Sequence, residues 1–97
     1  EAATALAKRL QNHHSDPHEQ IKYGYRLVTG RHAKQSTVHI LNEYLQQELQ
    51  RFKTTPDAAA KLLKLEGDSL PQQTLEQAAL TLLSNLLLNL DATITRG

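Results

Sequence analysis

Apolar residues recur at steps of three and four along residues 75–94, the last long apolar run of the chain. Such steps place the side chains on one continuous face of an α-helix. The strictly polar positions of this run form only a narrow strip, interrupted by Leu88, that consists of Gln77, Thr81, Ser84 and Asn85. A helix that is apolar around most of its circumference is typical of the middle of a bundle. The pattern therefore predicts a central C-terminal helix with other helices packed on it.

Four shorter amphipathic helices are predicted before this run, at about residues 2–12, 16–29, 37–52 and 56–65. Glycine and proline fall at the junctions, apart from Gly24, and no stretch has the alternation of a credible strand. The fold prediction is all-α, a compact bundle of about five helices around the central C-terminal helix. With 97 residues the chain is long enough for one domain, over residues 1–97, and not for two.

Capping residues support these boundaries. Ser15 is the predicted N-cap of the second helix and Thr55 that of the fourth, each followed by a proline in the first turn. The cap of the third helix is predicted at residues 35–36 or 36–37. Gly30 is the predicted C-cap of the second helix. Local chemistry therefore agrees with the periodicity about where the helices begin and end.

The predicted core consists of the apolar residues that repeat at helical spacing. In the first four helices these are Ala3, Leu6, Ala7, Leu10, Ile21, Tyr25, Val28, Val38, Leu41, Leu45, Leu49, Phe52, Ala59, Leu62 and Leu63. Gly24 lies inside the second predicted helix, where glycine costs about 1 kcal/mol relative to alanine. We predict a close approach of another helix as the reason for this glycine.

Charge and composition exclude several kinds of protein. The 11 basic and 10 acidic residues leave a formal net charge of +1, without the surplus that binds a polyanion. The chain has no cysteine, which excludes disulfides and thiol chemistry within it. The longest strongly apolar stretch, residues 82–90, falls short of the roughly 20 residues of a membrane span. The chain does not start with a methionine or a signal peptide, so we expect a fragment cut from a larger protein.

Histidines near the first interhelical turn are the candidate metal ligands. His14 and His18 are four residues apart, the spacing at which two histidines of one helix can share a metal. Pro17 begins a new helix between them and spoils that geometry, so exposed turn histidines are the simpler interpretation. The sequence therefore predicts no metal ligand, no catalytic residue and no cofactor-binding residue in this chain.

The other candidate residues are structural or interaction residues. They are Arg26, Arg31, Asn85, Leu88, Asn89, Asp91 and Arg96. Asp91 follows the most apolar part of the chain, and a partly buried ion pair with one of these arginines is favoured over a catalytic acid. The two asparagines lie one turn apart, and if buried they require hydrogen-bond partners or water.

Several ordered segments resemble a known bacterial family. Residues 25–31, YRLVTGR, resemble its FRLATGR segment, and residues 87–96, LLNLDATITR, resemble its closing LLNLDEFITR segment. The intervening residues 41–52, 57–63 and 67–68 follow the family's order as well. The family is the C-terminal domain of unknown function 1553, found in planctomycete-type cytochrome c-associated proteins. The usual acidic residue after the aspartate of the closing segment is alanine here, at Ala92.

This resemblance implies a setting rather than a reaction. Members of the family form the C-terminal end of large exported proteins, so an exported or periplasmic location is expected. Haem, if the parent protein holds it, belongs to an upstream cytochrome c domain and not to this chain. No catalytic residues are established for the family, so none is assigned here.

Three functions remain open. The favoured one is a non-catalytic helical module that packs on upstream domains of the parent or on another protein, and it predicts an exposed apolar patch near Leu88. The second is a contribution of residues to the site of an extracellular enzyme or electron-transfer parent. The third is nucleic-acid binding through the basic residues Arg26, Arg31, His32 and Lys34, which the acidic and glutamine-rich third helix disfavours.

Overall fold

Five α-helices make up the part of the chain that the structure describes. The computed structural model describes residues 2–66 and 70–96, with side chains up to residue 90. The helices are α1 (Ala2–His13), α2 (Pro17–Thr29), α3 (Gln35–Thr54), α4 (Pro56–Leu63) and α5 (Gln72–Arg96). No strand occurs in these residues, so the prediction of an all-α bundle is confirmed. Residues 67–69 and the side chains of Asp91 and Arg96 lie outside the described part.

α5 lies at the centre of the bundle and contacts each of the other four helices. Its contacts with α1 and α3 are the most extensive. At a rise of about 1.5 Å per residue, its 25 residues account for most of the 42 Å long dimension of the molecule. The prediction of a central C-terminal helix is therefore confirmed.

The predicted polar strip of α5 is wrong in part. Thr81 and Ser84 are only 4% and 0% exposed, whereas Asn85 is exposed. A hydroxyl can be buried on a helix when it returns its hydrogen bond to the preceding turn. Thr81 Oγ1 does this, donating to the Gln77 carbonyl at 2.8 Å, while Ser84 Oγ has no hydrogen-bond partner in the described structure. Neighbouring helices on several sides, rather than residue type, decide what α5 buries.

The core faces of α1 and α3 follow the predicted stripes. The residues that are at most 5% exposed there are Ala7, Leu10, Val38, Leu41, Leu45 and Phe52. Leu6 and Leu49 are half-buried and pack against them. Ile40, which lies beside the buried stripe of α3, is 65% exposed.

α2 buries a different set of residues from the predicted one. Tyr25 and Val28 are half-buried, whereas Gln20 is buried together with the predicted Ile21. Burial of the Gln20 amide is tolerated because its Nε2 donates to the His14 carbonyl at 2.7 Å, across the α1–α2 turn. Periodicity alone counts such a glutamine as a surface residue.

Gly24 is the point at which α2 meets two other helices. A Cβ atom at this position would lie 3.1 Å from Cδ1 of Leu10 in α1 and 3.1 Å from Cδ1 of Leu87 in α5. Contacts this short leave little room for a larger side chain. The predicted reason for this glycine, a close helix–helix approach, is confirmed.

The helix ends agree with the predictions in position more than in chemistry. α2 starts after Asp16, one residue later than predicted, α3 starts after Lys34, and α4 starts after Thr55 as predicted. None of these three described N-cap side chains makes a capping hydrogen bond. Gly30 ends α2 with a φ of 73°, and its N–H donates to the Arg26 carbonyl at 2.9 Å, as a left-handed C-cap does.

Candidate functional site

α5 carries apolar side chains that the bundle covers only in part, in the last turns whose side chains the structure describes. Four of them are half-buried: Leu82, Leu86, Leu88 and Leu90. Leu83 and Leu87, by contrast, are 0% exposed and belong to the core. Steps of four residues place three of the half-buried leucines in one row along the helix. These four leucines are called the leucine surface below.

Asn85 and Asn89 lie within the leucine surface. Both are exposed, and at about 100° per residue they fall between the row of leucines and Leu88. Neither amide is buried, so the prediction of hydrogen-bond partners for buried asparagines does not apply to them. The result is a surface with apolar flanks and a polar middle, in which Leu88 is half-buried.

Other exposed apolar residues are dispersed. Leu27 on α2, Ile40 on α3 and Leu65 after α4 are 39%, 65% and 46% exposed. Each belongs to a different segment of the chain, and single exposed apolar residues are ordinary on protein surfaces. The leucine surface differs because its members lie on consecutive turns of one helix.

The two candidate metal ligands are held by different partners. The His14 ring packs edge-on against the Tyr23 ring with centroids 5.6 Å apart, whereas His18 Nδ1 lies 3.9 Å from a carboxylate oxygen of Asp16. Among the described residues, no group of three or more histidine, aspartate or glutamate side chains is placed to hold a metal ion. The structure therefore does not join His14 and His18 in one site.

Tyr23 lies in an aromatic cluster with His13 and His14 that the sequence did not predict. The His13 ring lies 4.6 Å from the Tyr23 ring, centroid to centroid, and Arg9 Nε donates to the Tyr23 hydroxyl at 3.2 Å. The Arg9 guanidinium carbon also lies 5.9 Å from the ring centroid, within the range of a cation–π contact. These contacts tie the C-terminal end of α1 to α2.

The basic residues near the α2–α3 turn do not form a uniform positive surface. Arg26 Nη1 donates to His32 Nε2, so one arginine is used to bridge the turn. The Arg31 backbone N–H donates to Thr29 Oγ1 at 3.1 Å, and both Arg31 and Lys34 are exposed. Each helix that flanks the turn carries a glutamate paired with a basic side chain, and such alternation of acidic and basic residues is a poor match to a phosphate backbone.

Tyr44 is a half-buried residue of α3 whose pKa differs from the ordinary value of tyrosine. Burial raises the pKa of its hydroxyl above the ordinary value, the Glu48 carboxylate raises it further, and Arg51 acts in the opposite direction. All three residues belong to α3, and Arg51 also forms an ion pair with Glu48 at 2.7 Å. The shift follows from packing along one helix and indicates no reactive group.

No described helix has the length and apolarity that a membrane crossing requires. Comparison of the chain with protein-family models, with curated proteins and with solved structures finds no match.

Proposed function

We propose that this chain is a non-catalytic helical C-terminal module that packs, through the leucine surface, on upstream domains of a parent protein or on another protein. The observation that carries this proposal is the set of four half-buried leucines at the described end of α5. Each leaves apolar area in water, and a partner that covers it gains about 25 cal/mol per Å². Asn85 in the middle of the surface can hydrogen-bond to the polar groups of a partner.

The resemblance to the family of unknown function 1553 supports a partner within the same parent chain. The segment that resembles the family's closing motif begins at Leu87 and so overlaps the leucine surface. The parent is then an exported bacterial protein, and haem, if it has any, belongs to its upstream region. In this proposal the chain contributes packing and not a cofactor site.

The first test is a calorimetric titration of the purified upstream region of the parent into this 97-residue chain. Micromolar or tighter binding is expected. Asn85→Arg places a charged side chain in the middle of the leucine surface without touching the core, and it is expected to weaken binding by about tenfold or more because the charge must be desolvated.

The matched control is Gln47→Arg, which adds the same side chain to the exposed face of α3. It is expected to bind as the unaltered chain does. A titration without heat of binding would contradict a partner in the upstream region, and equal affinities for the two variants would contradict the role of the leucine surface.

Two further measurements distinguish the alternatives. If the chain contributes residues to an enzymatic or electron-transfer site, removing it from the parent lowers kcat while the remaining protein stays folded. If it binds nucleic acid, duplex DNA binds with an affinity that falls steeply as salt rises.

A further inference from the structure

A two-part cleft lies between the α1–α2 turn, α3 and the first turns of α5. Its parts have volumes of about 270 and 400 Å³, and Ser15, Gln20 and Glu76 line both of them. The smaller part has an apolar lining that includes Leu45, Leu49 and Leu80. The larger part is lined by polar residues, four of which are glutamines from α1, α2 and α5. The cleft is distinct from the leucine surface, which begins farther along α5.

Hydrogen bonds fix the orientation of the glutamine side chains in this cleft. Gln11 Nε2 donates to the Gln73 carbonyl at 2.9 Å, and Gln20 Nε2 donates to the His14 carbonyl at 2.7 Å. A carbonyl can only accept, so each amide must place its nitrogen at this bond. Each amide oxygen takes no part in these bonds, and each nitrogen keeps a second N–H.

Glu76 provides the charge of the cleft. Gln72 Nε2 donates to Glu76 Oε2 at 3.2 Å, which again turns an amide nitrogen towards the protein. Glu76 forms no ion pair with any described side chain. It is also the one formally charged residue that lines either part, with His14 as the other titratable group.

Two helix N-termini lie near the cleft, and each contributes roughly half a positive charge. A carboxylate lies near each of these N-termini. Asp16 is the N-cap residue of α2, and Glu76 lies in the second turn of α5. The residues that line the cleft therefore carry one formal negative charge and no formal positive charge, together with several hydrogen-bond acceptors. Such an environment selects a ligand that is cationic and carries only donors.

We propose that this cleft binds a lysine or arginine side chain of a partner protein, with an adjacent apolar side chain of the partner seated in the apolar part. Ammonium and guanidinium groups carry donors and no acceptor, which matches the amide oxygens and the carboxylate. Leu45, Leu49 and Leu80 line the smaller part and offer an apolar surface to a side chain that neighbours the basic residue in a peptide segment. This inference does not depend on the leucine surface.

The experiment is an NMR titration of the isotope-labelled chain with an acetylated and amidated peptide of sequence Ala-Leu-Arg-Leu-Ala. Saturable shifts are expected at Gln11, Gln20, Leu49 and Glu76. A twin peptide that carries citrulline in place of arginine keeps the shape and loses the charge. It is expected to bind about tenfold more weakly or worse, because the charge-assisted hydrogen bonds to the carboxylate are lost.

Glu76→Gln tests the same interaction from the side of the protein. The substitution keeps the side-chain volume and an acceptor for Gln72. It is expected to weaken binding of the arginine peptide by about tenfold. Glu66→Gln, which removes the same charge from an exposed residue outside the cleft, is the control and is expected to change nothing. Absence of saturable shifts, equal binding of the twin peptides, or equal weakening by both variants would overturn the proposal.

Discussion

α3 and α5 are the two longest helices, and they follow their sequence patterns to different degrees. α3 buries one apolar stripe and keeps a solvated outer face, as its periodicity predicts. α5 is contacted by all four other helices, buries Thr81 and Ser84, and leaves Leu82, Leu86 and Leu90 half-buried. A hydrophobic pattern therefore reports burial well for a helix with one buried face. It reports less for a helix that neighbours surround.

The largest expected difference between the two helices comes from truncating one apolar side chain in each. Leu83→Ala in α5 removes a side chain that is 0% exposed, and it is expected to lower the free energy of unfolding. The loss is about 2–5 kcal/mol, from lost burial and the cavity left behind. Ile40→Ala in α3 truncates a side chain that is 65% exposed and is expected to change stability by less than about 0.5 kcal/mol. Urea denaturation measures both, and similar losses would mean that the outer face of α3 has a partner.

Gly24→Leu tests how closely the surrounding helices approach α5. Leucine is the better helix former by about 1 kcal/mol. The new side chain would nevertheless collide with Leu10 and Leu87. We therefore expect a net loss of roughly 1–3 kcal/mol in the free energy of unfolding. Lys22→Leu, on an exposed position of the same helix, is the control and should stay within about 0.5 kcal/mol. A stabilised Gly24→Leu variant would show that α2 can move away from α5.

Ser84→Ala probes the buried polar position of α5. The serine hydroxyl is fully buried without a partner in the described structure, so its removal is expected to stabilise the fold. A gain of about 1 kcal/mol is expected, since an unmet hydrogen bond is removed and alanine is the better helix former. Ser36→Ala in the exposed first turn of α3 should change stability by less than about 0.5 kcal/mol. Thermal unfolding compares the two, and destabilisation by Ser84→Ala would indicate that the hydroxyl has a partner such as a buried water.

The smallest effect concerns the flank of α3. Because burial and Glu48 raise the pKa of Tyr44 above 10.0, its neutral form is favoured in the folded state. This contribution to stability is complete below the unfolded pKa and is lost as pH rises through the folded one. The free energy of unfolding should therefore fall more with rising alkalinity for the unaltered chain than for Tyr44→Phe. Urea denaturation at increasing pH measures this, and parallel curves would contradict the assigned shift.

Much of the fold could be predicted from the sequence because its signals are local. The helical period and proline in the first turns of α2 and α4 locate helices without reference to distant residues. Gly30 needs only its own left-handed φ to end α2. The apolar stripes of α1 and α3 could also be predicted, because a helix with a single apolar face buries that face against the core.

Tertiary structure alone decided the candidate sites. Gln11 and the carbonyl that accepts its hydrogen bond are 62 residues apart, so no local pattern could bring α1 and α5 together at the cleft. The burial of Gln20 depends on a carbonyl across a turn, and the half-burial of Leu86 and Leu90 depends on the neighbours of α5. The sequence determined which segments are helical, because backbone geometry and capping are local properties. The packing of those helices determined which polar groups are buried and which leucines face water, because burial is a property of neighbours.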